Sequence, residues 1–133
     1  MKKLFLFLSF ATILSCSSSD DDSNSNASNS DFHPPTWIQG TWQQEGSTGT
    51  SGIGFKFSSN DLCLLISTAE QCQKGMIDTM RKSGQNSTVD ETITSTSYSA
   101  YITYGGTGQS VTYSFKKLSN NSIEYMGYTF IKK

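Results

Sequence analysis

The residues able to do chemistry are few: three cysteines, a single histidine and eleven acidic side chains in 133 residues. A Ser-His-Asp or Cys-His arrangement needs an imidazole to take up a proton. The one imidazole, His33, sits in a polar stretch just before Pro34-Pro35. Zinc hydrolysis lacks ligands for the same reason, and no CxxC pair is present. Paired carboxylates are the remaining catalytic option, since two of them flanking a glycosidic bond suffice for its hydrolysis. The candidates are Glu45, Asp61, Glu70, Asp78, Asp90, Glu91 and Glu124. Asp90 and Glu91 are adjacent, so on a strand they point to opposite faces. No local pattern marks any of the seven as buried. The glycine-rich segments 46–54 and 105–108 lack the Lys-Ser/Thr ending of a phosphate loop. Neither an enzyme nor a cofactor is expected.

These residues are set in a pattern of strands and turns. Trp37 to Gln44 reads as a first strand, and Gly46 to Gly52 as a flexible loop. Ile53, Phe55 and Phe57 alternate with smaller or polar residues, a period of two with one apolar face. Leu62 to Ile66 is a short buried strand after the Asn60-Asp61 turn. The period then changes. Ser67-Thr68-Ala69-Glu70 has the spacing of a capping box. Ala69, Cys72, Met76, Ile77 and Met80 share one helical face, and Gly84 can end the helix. A helix over residues 69–82 is predicted. Its Met76 and Met80 stripe either packs on the domain or serves as a greasy docking face. Strands resume with Val89 to Thr96, then Tyr98 to Tyr104, Val111 to Phe115, Ile123 to Met126 and Tyr128 to Ile131. About eight short strands joined by tight turns imply a mainly β, antiparallel barrel or sandwich, with one α-helix after the third strand.

The first residues carry an address. Lys2 and Lys3 precede an apolar run from Leu4 to Leu14. Eleven residues are too few to cross ~30 Å of hydrocarbon as a helix, but they suit the core of a signal peptide. The run ends in Ile13-Leu14-Ser15-Cys16, which resembles the lipobox of bacterial lipoproteins. The resemblance implies that residues 1–15 are removed and that Cys16 carries fatty acyl chains such as palmitate. Each buried methylene then contributes about 0.8 kcal/mol to anchoring. Residues 16–34 are dominated by Ser, Asn and Asp, a tether with too little apolar surface to order itself. Asp20, Asp21 and Asp22 resemble the acidic signals that route some Gram-negative lipoproteins to the outer face of the outer membrane; a solvated linker is the other reading. A calcium loop fits poorly, because Ser25 stands where glycine is wanted and no helices flank the segment. In an exported chain, the even pair Cys63 and Cys72 suggests a disulfide, which would staple the predicted helix to the preceding strand. Residues 35–133 carry eight bases against seven acids. That balance gives no footprint for nucleic acid and no basic face for acidic lipid.

Gly40-Thr41-Trp42 resembles the Gly-x-Trp that opens the first strand of lipocalins, where the Trp closes one end of an up-and-down barrel. Residues 35–133 are similar in strand rhythm to small lipocalin-like bacterial lipoproteins, with Gly40 and Trp42 as the matching motif. The chain departs from them in its shorter domain, its early helix and its last strand, which offers Lys132 and Lys133 where lipocalins place an arginine. Tyr98, Tyr101 and Tyr104 are candidate binding residues, because tyrosine is a favoured interface anchor. Ordinary cross-strand pairing is their alternative role. Asp78-Thr79-Met80 resembles a bacterial O-glycosylation signal centred on Thr79. The expectation is a non-catalytic binding module anchored by lipid in the outer membrane, on its periplasmic side or at the cell surface. Its partner would be a small ligand or a protein. The alternative is an inhibitor of a secreted or host hydrolase, such as a protease or lysozyme, presenting loop 46–52.

Overall fold

The computed structural model describes residues 31–48 and 52–133. Residues 1–15, which the sequence predicts as a leader, Cys16, the Asp20–Asp22 run and the centre of loop 46–52 lie outside the described residues. Within them, nine antiparallel strands form one curled half-barrel sheet in the order β4-β3-β2-β1-β9-β8-β7-β6-β5. The strands are β1 (Gly40–Gln44), β2 (Ile53–Phe57), β3 (Leu62–Ile66), β4 (Ala69–Cys72), β5 (Thr88–Ile93), β6 (Ser97–Tyr104), β7 (Gln109–Lys117), β8 (Ser122–Tyr125) and β9 (Tyr128–Lys132). Helix α1 (Gln73–Lys82) links β4 to β5, the two edges of the sheet. Among the described residues, no helix is long and apolar enough to cross a membrane.

The fold departs from the expected one in the helix, in barrel closure and in the tether, and has nine strands where about eight are expected. The helix starts at Gln73, not at residue 69, and follows the fourth strand. Ser67, with φ 56°, begins a tight turn, and Ala69 to Cys72 pair back onto β3. The apparent capping box is therefore a hairpin, and Cys72 has the extended backbone of a residue that precedes a helix. The sheet is also not a closed barrel, because β4 and β5 do not pair with each other. Finally, the folded body takes in residues 31–34, which the sequence assigns to the tether. Phe32 is 1% exposed and belongs to the core.

Those residues lie against α1 and β5, on the side of the sheet opening. Asp31 pairs with Arg81 of α1. The His33 backbone N–H donates to the Glu91 carboxylate of β5 at 2.8 and 2.9 Å. Trp37 Nε1 reaches the Thr94 carbonyl in the β5–β6 turn at 3.2 Å. From α1, Ile77 points into the core. Gly84 ends the helix as the sequence predicts: at φ 77° its N–H bonds the Arg81 carbonyl, and the next N–H bonds the Met80 carbonyl.

Alternation sorts the sheet into two faces. Tyr98, Ala100 and Ile102 point inward from β6, as do Tyr113 and Phe115 from β7. Phe55 stands at the centre of an aromatic cluster, 4.8 Å from both Phe115 and Tyr125 and 5.2 Å from Phe130 by ring centroid. Phe57 meets Phe115 at 5.0 Å, edge to face. Such edge-to-face pairs add about 0.5–1.5 kcal/mol each beyond the area they bury. The half-barrel is thus filled by its own rings.

Candidate functional site

The Gly-x-Trp pair comes first in the chain. Trp42 is fully buried, and its Nε1–H donates to the Ile38 carbonyl at 2.6 Å. Lys132 lies opposite it in register on β9 and holds its ammonium 5.2 Å from the indole centroid. Gly40 has φ 121°, and a Cβ there would meet Lys132 Cε at 2.9 Å. The glycine therefore leaves room for a lysine to lie across the ring, a cation–π contact. Gly40, Trp42 and Lys132 thus pack as one unit.

The opening beside β5 holds a largely enclosed carboxylate. Glu91 accepts from Tyr98 Oη at 2.6 Å and from the His33 backbone, and the His33 ring Nδ1 lies 3.0 Å away. Burial, then this hydrogen bond, pushes the Tyr98 phenol far above its ordinary value. Asp90 points to the other face, as adjacency requires. Glu91 thus joins the N-terminal segment to the sheet. Local sequence does not reveal this, because its partner His33 is 58 positions away. Asp61 is likewise half-buried, and desolvation raises its carboxyl above the ordinary value against hydrogen bonds from the Lys74 and Leu62 N–H groups.

Cys63 and Cys72 are bonded to each other directly across β3 and β4. The bridge closes the hairpin that precedes α1 rather than the helix itself. Ligand atoms of Asp61, Cys63 and Cys72 lie within 4.8 Å of one another. With both sulfurs spent in the bridge, that group holds no thiolate for a metal.

The three candidate tyrosines do not form one site. Tyr98 is inside the core, and Tyr101 faces outward, 45% exposed. Tyr104 alone lines an open pocket of about 250 Å³ between α1 and the β6–β7 hairpin. Its hydroxyl donates to Gln73 Oε1 at 2.5 Å. Gln73 is 1% exposed and begins α1. Tyr113 from β7, and Met76 and Met80 from α1, complete the inner wall. Burial, then neighbouring Tyr113, pushes the Tyr104 phenol up to about 12. Burial also raises Tyr113 and Tyr125. These hydroxyls stay neutral donors through the physiological range. The sequence singled out Tyr104 and the Met76–Met80 stripe, but not Gln73, whose role depends on where the helix starts. Thr79 is exposed on α1, and its Oγ1 bonds the Gly75 carbonyl at 2.8 Å.

A second feature lies at the sheet end where the β1–β2, β3–β4, β6–β7 and β8–β9 connections gather. Ile53 and Ile66 are register partners there, both exposed. Met126 is 77% exposed with φ 51°, and Tyr128 beside it is 60% exposed. A bulky apolar residue in the left-handed region is unusual, and strain of this kind clusters at functional positions.

Comparison of this chain with protein-family models, with curated proteins and with solved structures finds no match.

Proposed function

We propose that this chain is a lipid-anchored, non-catalytic binding module of the bacterial outer membrane. In this reading acylated Cys16 holds the protein in the membrane, and the Ser/Asn/Asp tether carries a lipocalin-like half-barrel into the periplasm or to the cell surface. The observation that carries the binding role is the pocket beside α1. It is an open, polar-lined cavity on a domain whose interior is packed with aromatic rings. Small-ligand sites combine an apolar wall with a few convergent polar groups, and Met76, Met80, Tyr104 and Gln73 supply both.

Two observations support the lipocalin-like part. In chain order each strand pairs with the next from β1 to β4 and from β5 to β9, and β9 returns to β1. That is up-and-down connectivity with one opening, at which α1 sits. Lys132 also covers Trp42 from the last strand, where lipocalins place an arginine.

A second reading, inhibition of a hydrolase by a protruding face, is favoured by the apolar rim of Ile53, Ile66, Met126 and Tyr128 beside loop 46–52. Affinity capture from the native envelope separates the two. Ligand retention lost on substituting Tyr104 supports the pocket. Equimolar capture of a hydrolase, lost on Met126→Asp, supports the rim. Retention of neither a ligand nor a protein contradicts the binding role.

A further inference from the structure

The pocket beside α1 has a chemical character that selects its ligand. Its hydrogen-bonding side chains are all neutral: the carboxamides of Gln71, Gln73 and Gln109 and the hydroxyls of Tyr104, Tyr113 and Thr107. No charged side chain lines it among the described residues. Resting on the binding-module reading above, we infer that it takes the end of a neutral saccharide.

An anion seated there would lose water and gain no cation, and a cation would gain no carboxylate. Burying an unpaired charge is costly in either case. An extended peptide presents a backbone donor and acceptor at every residue, which a sheet edge matches; edge strand β4 contributes only Gln71 to this wall, too short a run for an added strand. A carboxamide sets a donor and an acceptor side by side, the pair that two neighbouring sugar hydroxyls need. Gln71 and Gln109 are both exposed, and their carboxamides hold no hydrogen bond to a described residue. Gln73 is fixed from behind by Tyr104. The Tyr104 and Tyr113 rings with Met76 and Met80 give the apolar strip that the C–H face of a sugar ring covers. At about 250 Å³ the space falls below the ~300–1,000 Å³ of sites for drug-sized ligands, which suits a terminal unit rather than a long chain.

The test is calorimetric titration of the detergent-solubilised, full mature protein with maltotriose, cellotriose and chitotriose. Trigalacturonate and a neutral Gly-Ser peptide serve as comparisons. At least one neutral trisaccharide binds, and the peptide and trigalacturonate do not. Gln71→Leu and Gln109→Leu each weaken that binding about tenfold, the scale of one lost hydrogen bond that leaves its partner unpaired. Both positions are on the surface, so the melting temperature stays near that of the parent. Tyr104→Phe weakens binding as well. Preference for trigalacturonate or the peptide overturns the inference, as does sugar binding indifferent to Gln71→Leu and Gln109→Leu. If no saccharide binds while an envelope protein is captured in equal ratio, independently of Gln71, the ligand class fails and the binding-module reading stands. If nothing binds by either route, both fail.

Discussion

Trp42 makes its case through three neighbours: the Ile38 carbonyl that its N–H needs, the Lys132 ammonium over its face, and the glycine that gives the lysine room. Trp42→Ala removes all of this and leaves a cavity. It should destabilise the domain by about 3–5 kcal/mol, read from the urea midpoint. A loss below about 1 kcal/mol would contradict full burial. The tyrosines give a pH prediction with a definite sign. Tyr98, Tyr104, Tyr113 and Tyr125 all have raised phenol values in the fold. Between the unfolded value near 10 and the folded one, the native state binds more protons than the unfolded state, so stability falls as pH rises. Their contribution is whole below about pH 10. For Tyr104 it is lost as pH climbs through about 12. Tyrosinate absorbance followed with circular dichroism should show these phenols ionising late, together with unfolding. Ionisation near pH 10 with the fold intact would contradict it. The Gly40–Trp42 pair was legible because the motif is local. Glu91 was not, because its burial is made by residues far away in the chain.

Elements defined by alternation were legible, and those defined by pairing were not. The inward residues of β6 and β7 follow from period two alone. β4 carries Ala-Glu-Gln-Cys, with three exposed residues and no apolar rhythm. It is a strand because β3 offers it a ladder and Cys63 a bond. Replacing both Cys63 and Cys72 by serine should cost about 2–3 kcal/mol, as expected for a short closed loop, measured by denaturation against the parent without reductant. Two alkylatable thiols in the folded parent would contradict the bridge. The segment 31–34 is the other element hidden from the sequence, since a lone Phe32 among polar residues reads as tether. Phe32→Ala should cost about 3–5 kcal/mol. An unchanged melting temperature would return residues 31–34 to the tether.

At the scale of the molecule, a sheet whose two edges stay apart leaves an opening; α1 links those edges, and residues 31–37 lie against α1 and β5. β richness was legible in the spacing of turns. The open edges were not, because closure depends on the summed twist and tilt of all the strands and not on any one of them. The pocket exists because α1, rather than a further strand pairing, fills the opening between β4 and β5, and its wall is drawn from both sides. Function on this account has two parts, an anchor at one end of the chain and a neutral recognition pocket in the folded body. In the proposed function, location and access to ligand both follow from the anchor. The most direct test is mass spectrometry of the N-terminal peptide of the protein extracted from membranes of its native host. A lipid-anchored protein yields a chain that begins at Cys16 and carries the added mass of fatty acyl groups. A chain that retains residues 1–15, with an unmodified Cys16 thiol, would contradict lipid anchoring.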